Sequence, residues 1–198
     1  MLKVGITGGI GSGKSVVCKV FEALEIPVFN ADNAARYLME TDERLVAAIG
    51  NLLGTDVYRN GHLDKTAVSD IVFRYPEKLQ QLNNLVHPVT IQYAKDWVER
   101  QQSSYIIKEA AIFFESGSYK EMDIMVGVYA PLELRIERTM ARGGQSREKV
   151  LSIIAKQMNE EEKMGRCDHV ITNDDVVAVT PQLLQLHEIF LRKAGNKA

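Results

Sequence analysis

The sequence predicts a three-layer α/β/α fold in which a five-stranded parallel sheet lies between two layers of helices. Five short runs are almost continuously apolar, and segments with helical character separate them: Leu2–Ile6, Pro27–Phe29, Tyr105–Ala110, Ile124–Tyr129 and His169–Thr172. Strands that are apolar on both faces are typical of parallel sheets covered by helices on each side. Ligands bind such sheets beyond the carboxyl ends of the strands, so we expect the functional site there.

Length and charge restrict the class of protein. The chain has 198 residues and a formal net charge of −2, which predicts one domain over residues 1–198 and no broad electrostatic capture of nucleic acid. No stretch approaches the roughly 18 apolar residues that a membrane span needs. We therefore expect a cytoplasmic protein that is a monomer or a weak homo-oligomer.

The first strand leads into a glycine-rich loop that predicts phosphate binding. Gly8–Ser15 matches the pattern G-x-x-x-x-G-K-S, and Val16–Leu24 follows with its apolar residues on one helical face. In a strand–loop–helix arrangement the loop N–H groups and the positive helix end face phosphates, Lys14 reaches the β- and γ-phosphates, and Ser15 ligates Mg²⁺. A glycine turn that only starts a helix is the structural alternative. The predicted nucleotide-binding residues here are Gly11, Ser12, Gly13, Lys14, Ser15 and Val16.

An insertion separates the second and third strands. Its helical signals are Asp64 as a cap before Lys65–Phe73, Pro76 in a first turn, and His87-Pro88 opening a segment that runs to Arg100. We therefore predict a helical substrate-binding subdomain at about 34–103, inserted into a core of about 1–33, 104–131 and 165–198.

A second excursion follows the fourth strand and predicts a small mobile lid at about 132–164. Glu133–Met140 has helical character, Ala141–Ser146 breaks it, and Arg147–Met164 resumes it.

Phosphoryl transfer needs a nucleotide clamp, a cation and a group that orients the acceptor hydroxyl. Asp32, just after the second strand, is a candidate general base, but it is equally placed to cap the next helix. Arg135, Arg138 and Arg142 share one helical face and are candidates for charge stabilisation, with a solvated face as the alternative.

The acidic residues near the end of the third strand also have two possible roles, one functional and one structural. Glu109 and Glu115 either support Mg²⁺ through water or cap local structure.

The motifs resemble those of the dephospho-coenzyme A kinase family, and they span nearly the whole chain in the family's order. The matching segments are Thr7–Ser15, Asn30-Ala31-Asp32 with Ala35-Arg36, Leu85–Pro88, Phe114-Glu115, Arg138–Arg147 and Asp168–Asn173.

The resemblance implies ATP-dependent phosphorylation of the ribose 3′-hydroxyl of dephospho-coenzyme A, with ATP as co-substrate and Mg²⁺ as the metal. It makes Asp32 the general base, places Arg138 and Arg142 over ATP, and assigns adenine contacts to Asn173. The insertion becomes the coenzyme-A-binding subdomain. The substrate-binding residues that it implies are Thr7, Asp32, Arg36, His87 and Glu115.

The sequence departs from the usual family pattern at three places. Asn30 stands where the family usually has Asp, Ala111-Ile112 replaces Pro-Leu, and Asp174 stands where Asn or Gly is common. Another small-metabolite kinase, such as a nucleoside or nucleotide kinase, is the alternative, because such enzymes share the loop, the lid and a strand-end carboxylate.

Overall fold

The computed structural model describes residues 1–196 and contains the predicted five-stranded parallel sheet, with helices on both faces. The strands of this sheet are β1 (Leu2–Thr7), β2 (Val28–Asn30), β5 (Tyr105–Glu109), β6 (Ile124–Tyr129) and β7 (His169–Thr172). Their order across the sheet is β2-β5-β1-β6-β7. A separate hairpin pairs β3 (Tyr58–Arg59) with β4 (His62–Leu63).

The central strand β1 pairs with β5 and β6 and leads into the glycine loop at its carboxyl end. Ile6 is in register with Glu109 of β5 and with Val126 of β6, and Thr7 is in register with Gly127. The carboxyl ends of β1, β5 and β6 therefore lie side by side, immediately before the loop that follows β1.

The apolar core fills the space between the sheet and two helices, α1 (Lys14–Ala23) and α10 (Val179–Gly195). Phe21 of α1 and Phe190 of α10 both pack against the buried Tyr105 ring, with ring centroids 6.4 Å and 5.5 Å from it. Successive residues of a strand point to opposite faces of the sheet, so Gly127 points away from the face that this apolar core covers. A Cβ there would lie 2.5 Å from Met164 Sδ, which shows that α9 (Glu160–Gly165) packs closely on the second face.

The chain divides into two compact units. One unit comprises Met1–Phe29 and the chain from Gln101 onward, and the other is Asn30–Arg100. The second unit therefore begins four residues before the predicted insertion of 34–103 and ends three residues before its end.

No helix within residues 1–196 is both long and apolar enough to cross a membrane.

The second unit has four helices and its own apolar core. The helices are α2 (Ala31–Thr41), α3 (Glu43–Leu53), α4 (Lys65–Arg74) and α5 (Pro76–Glu99). Asp64 caps α4 as predicted, since its side chain accepts from the N–H groups of Thr66 and Ala67. The prediction of a new helix at His87-Pro88 was wrong, because α5 continues through Pro88 without a break. Buried residues of the core include Leu45, Ile49, Leu53, Leu82 and Val86.

The lid region consists of α7 (Leu132–Gly143), α8 (Arg147–Ile154) and the following α9. α7 continues three residues, to Gly143, into the predicted break of Ala141–Ser146, and its C-cap, Gly144, has a φ of 60°. The prediction of one helix over Arg147–Met164 was wrong. Asn159 starts α9 separately, because its side chain accepts from the N–H groups of Glu161 and Glu162. A short helix α6 (Phe113–Ser116) follows β5.

Candidate active site

The glycine loop delivers an uncapped helix N-terminus at the carboxyl end of β1. Gly13 precedes α1 with a φ of 95° and provides no side-chain cap, and its carbonyl accepts from the N–H groups of Val16 and Val17. Within residues 1–196, the N–H groups of Gly11, Gly13 and Ser15 have no acceptor. Free N–H groups at a helix N-terminus form an anion site, because the helix dipole adds to their partial positive charge.

Two loop positions require glycine because other parts of the protein approach the backbone. At Gly11, a Cβ would overlap the Arg135 carbonyl oxygen and lie 2.7 Å from Thr139 Oγ1. At Gly13, a Cβ would overlap the Asn173 amide nitrogen, which donates to the Ser12 carbonyl over 2.8 Å. The glycines therefore let the lid helix α7 and the loop after β7 pack directly on the phosphate loop, in addition to permitting positive φ.

Lys14 folds back over the loop. Its Nζ donates to the carbonyl oxygens of Gly8 and Gly9 over 2.9 and 3.2 Å. The ammonium group is thus held beside the N–H groups that form the anion site, where its full charge adds to theirs.

Oxygen ligands suited to Mg²⁺ lie near this loop. The Ser15 side chain is exposed at the start of α1, and Glu109 ends the neighbouring strand β5. Glu109 is 6% exposed, and burial together with the Glu109 charge raises the pKa of the Cys18 thiol in α1. Hydroxyl and carboxylate oxygens are the ligands that Mg²⁺ prefers, usually alongside water and substrate phosphates. Residues 1–196 contain no cluster of three His, Cys, Asp or Glu side chains with metal-binding geometry.

The loop after β7 joins the phosphate loop to the lid. Arg138 of α7 donates from Nη1 to the Asn173 carbonyl over 3.0 Å and also pairs with the Asp175 carboxylate. Because Asn173 also contacts Ser12, the structure brings Arg138, Asn173 and the loop together within the first unit.

The arginines of the lid region have different environments. Arg135 is 5% exposed and pairs with Glu160, whereas Arg147 forms two hydrogen bonds of 2.8 and 2.9 Å to Glu133. Arg142 is exposed and has no ion pair within residues 1–196. Of these side chains, the guanidinium of Arg142 is therefore the one available to a ligand without breaking an existing contact.

Asp32 does not cap its helix. The cap of α2 is Asn30, whose Oδ1 accepts from the Asn33 N–H over 2.7 Å, and Asp32 lies exposed within the first turn. Arg36 follows four residues later on the same helical face and is also exposed, as is His87 on α5. These three of the five predicted substrate-binding residues belong to the second unit.

Two other predicted substrate-binding residues make internal contacts. Thr7 is fully buried and its hydroxyl is 3.4 Å from the Ala111 carbonyl, so the structure does not present it to a substrate. Glu115 Oε1 accepts from the Met158 N–H over 2.8 Å and lies 3.0 Å from Lys163 Nζ. Burial acts to raise the pKa of Glu115, but these hydrogen bonds and the Lys163 charge outweigh it and lower the pKa.

Sequence reasoning missed Gln157, Glu160 and Lys163. The segment around α9 has a polar, strongly charged sequence, which is typical of a solvated surface, yet Lys163 is fully buried. Its Nζ also donates to the Ala111 carbonyl over 2.8 Å. No spacing in the sequence indicates these contacts, because their partners lie far away in the chain.

Comparison with known proteins agrees with the motifs. The family model described as dephospho-CoA kinase matches residues 2–178. A dephospho-CoA kinase of Bacteroides fragilis strain YCH46 is 38% identical over 193 residues, which cover 97% of this chain and 94% of the relative. The crystal structure of TT1252 from Thermus thermophilus is 32% identical with a TM-score of 0.82, and the alignment covers 97% of each chain.

A more distant structure supports the fold. The dephospho-CoA kinase from Campylobacter jejuni aligns with a TM-score of 0.68 at 21% identity, covering 99% of this chain and 98% of that one. The family match and the similarity to the Bacteroides fragilis enzyme both extend over nearly the full chain. The chain therefore belongs to the dephospho-CoA kinase family.

Proposed function

We propose that the chain transfers the γ-phosphoryl group of ATP to the ribose 3′-hydroxyl of dephospho-CoA, giving CoA and ADP. Family membership supports the reaction and both substrates. The observation that carries the proposal within the structure is the uncapped N-terminus of α1, where free N–H groups and the Lys14 ammonium converge. This arrangement suits a triphosphate because it concentrates positive charge without a competing side-chain cap.

The chain's residues would divide the work of phosphoryl transfer. The N–H groups of Gly11, Gly13 and Ser15 bind phosphate oxygens, and Lys14 neutralises charge on the β- and γ-phosphates. Asp32 accepts the proton of the 3′-hydroxyl, whose oxygen forms the new bond to phosphorus as the bond to the β–γ bridging oxygen breaks. Arg142 stabilises the charge that moves during transfer, since its guanidinium has no competing ion pair within residues 1–196.

The Ser15 hydroxyl and the Glu109 carboxylate would hold Mg²⁺, the latter through water. When bound, Mg²⁺ offsets negative charge on the phosphates. Arg138 and Asn173 would line the adenine side, because they already form one connected group with the loop.

The experiment is a substrate panel with detection of ADP. Dephospho-CoA, nucleosides and nucleoside monophosphates are offered with ATP, with and without Mg²⁺. Activity on dephospho-CoA that greatly exceeds the others and requires Mg²⁺ is expected. Preference for a nucleoside would instead support the alternative kinase.

Location and assembly are further parts of the proposal. We expect a cytoplasmic enzyme, since ATP is available there, and a monomer or weak homo-oligomer. Cell fractionation and sedimentation at several protein concentrations test these points.

A further inference from the structure

Two N–H groups at the start of the phosphate loop are bound by side chains from the segment that follows α8. The Gly9 N–H donates to Glu160 Oε1 over 3.2 Å, and the Ile10 N–H donates to Gln157 Oε1 over 3.0 Å. These two N–H groups are therefore occupied, unlike those of Gly11, Gly13 and Ser15. The first N–H groups of the loop are thus bound by protein side chains, whereas those of Gly11, Gly13 and Ser15 are available to a ligand.

The carboxylate that binds Gly9 is neutralised from the opposite side. Arg135 Nη1 lies 3.4 Å from Glu160 Oε2, and the two side chains are only 6% and 12% exposed. A nearly buried carboxylate beside an anion site would repel phosphate if it were unpaired, because screening by water is weak there. Arg135 removes that repulsion while Glu160 keeps its hydrogen bond to the loop.

The Arg135–Glu160 pair lies directly against the loop backbone. A Cβ at Gly9 would overlap Arg135 Nη1 and lie 2.6 Å from Glu160 Oε2. The pair therefore leaves no room for a side chain at this position of the loop. Since Arg135 belongs to α7 and Glu160 begins α9, both ends of the lid region contact the same loop residue.

We propose that Glu160, with Arg135 and Gln157, positions the phosphate loop for ATP. The inference rests on the proposed function and adds residues that never touch the substrate. Glu160 and Gln157 fix the start of the loop, and this keeps its free N–H groups aligned with the phosphates. Without this support the loop samples more conformations. ATP is then bound less tightly in the ground state and in the transition state by the same amount.

The test compares Glu160→Ala with Glu161→Ala, its neighbour in the first turn of α9. Both variants lose one negative charge, but within residues 1–196 the Glu161 side chain forms no hydrogen bond or ion pair with the loop. For Glu160→Ala we expect the KM for ATP to rise roughly tenfold, the usual effect of losing a charge-assisted hydrogen bond, with kcat and the KM for dephospho-CoA little changed. Glu161→Ala should match the wild type.

Two more variants separate positioning from a loss of folding. Glu160→Gln keeps an oxygen that accepts from Gly9 and should recover most of the ATP affinity. Gly9→Ala pushes the Arg135–Glu160 pair off the loop without changing any charge, and it should raise the KM for ATP as Glu160→Ala does. If Glu160→Ala unfolds, these two variants decide the question by the same measurements.

Equal KM values for ATP in Glu160→Ala and Glu161→Ala would overturn the inference, as would a wild-type KM in Gly9→Ala. Calorimetric titration with ATP gives the same comparison without turnover.

A wild-type chain that binds ATP but does not phosphorylate dephospho-CoA would refute the proposed function. The calorimetric comparison of Glu160→Ala with Glu161→Ala would still test the positioning role.

Discussion

At the scale of single residues, the structure changes the interpretation of Asp32 most. The sequence allowed Asp32 to be either a helix cap or a general base. In the structure Asn30 makes the capping hydrogen bond, and Asp32 is exposed in the first turn of α2. The capping explanation for Asp32 is therefore wrong, and catalysis remains the role that we propose for this carboxylate.

Asp32→Asn should separate catalysis from stability. We expect the melting temperature to stay close to that of the wild type, because the cap is untouched. Turnover should fall by roughly 10²- to 10⁴-fold, the usual contribution of a general base. Both are measured on one preparation, with Asn33→Ala as the exposed neighbouring control. Turnover within a few-fold of the wild type would exclude Asp32 as the base.

Arg142→Ala should reduce kcat and leave the KM for dephospho-CoA nearly unchanged. Its guanidinium forms no ion pair within residues 1–196, so little stability is lost, and its charge matters as the γ-phosphoryl group moves. We expect a loss of about 10²-fold or more, in the range of other charge-stabilising groups. Lys149→Ala removes another exposed lid cation and serves as the control. Equal, small effects in both variants would make Arg142 an ordinary surface residue.

At the scale of elements, the strands were predictable and several helix boundaries were not. β6 and β7 occupy the predicted residues, because buried parallel strands form continuous apolar runs between polar turns. The hairpin of β3 and β4 was missed although Asn60-Gly61 adopts positive φ and is a recognised hairpin turn. Its strands have two residues each, too few to show a pattern.

Pro88 shows how tertiary structure overrides a local signal. Proline disfavours helix at the preceding residue, yet Val86 and Leu82 on the same helix are buried in the second unit's core. Burial of this apolar face stabilises the continuous α5 despite one missing hydrogen bond.

Pro88→Ala should therefore stabilise the protein. The new N–H can donate to the Asn84 carbonyl, while the unfolded chain gains some freedom, so we expect a net gain of about 1–2 kcal/mol. That corresponds to a melting temperature about 2–8 °C higher. Pro76→Ala is the matched control, since proline suits the first turn of α5 and its removal should bring no gain. A lower melting temperature for Pro88→Ala would contradict this account of α5.

The contact of Glu115 with Lys163 joins α6 to α9 and should depend on pH. The pKa of Glu115 is lowered in the folded protein, so its contribution to stability is complete above its ordinary value of 4.5 and is lost as the pH falls through the lower folded pKa.

Glu115→Gln should lower the free energy of unfolding by about 2 kcal/mol at pH 7, because Lys163 is buried and loses its counter-charge. The difference from the wild type should shrink as the pH falls below 4.5. Denaturant unfolding at pH 7 and at successively lower pH measures it. A difference that does not change with pH would show that the charge of Glu115 is not involved.

At the scale of the whole molecule, the sequence predicted the local part of the candidate site and missed the part that depends on tertiary contacts. Lys14 and Ser15 could be proposed from the sequence because a single contiguous motif carries them. Glu160 and Gln157 were not, because they reach Gly9 and Ile10 from about 150 residues away in the chain. Thr7 was predicted to bind substrate, but in the structure it is buried at the end of the central strand and its hydroxyl lies 3.4 Å from the Ala111 carbonyl, a contact that no motif reveals.

ATP with Mg²⁺ should stabilise the wild-type chain through the free N–H groups at the start of α1. At about 100 times Kd, binding adds about 2.7 kcal/mol, which is a shift of roughly 5–11 °C. Lys14→Ala should lose most of this shift and its turnover, while its melting temperature without nucleotide stays within a few degrees. Differential scanning calorimetry with and without ATP measures it. An undiminished shift in Lys14→Ala would remove Lys14 from nucleotide binding.

The order of strands in the sheet has a consequence for synthesis on the ribosome. β1 ends at Thr7, but its hydrogen-bonding neighbour β5 begins only at Tyr105 and β6 only at Ile124. At a synthesis rate of about 5–20 residues per second, the central strand stays unpaired for roughly 5–20 s until β5 has been synthesised. During that interval the whole of Asn30–Arg100 emerges, with an apolar core that needs no residue from the sheet. The unit in the middle of the chain can therefore fold first, and the nascent Leu2–Thr7 segment, apolar and unpaired, is the part that chaperones would have to protect from aggregation.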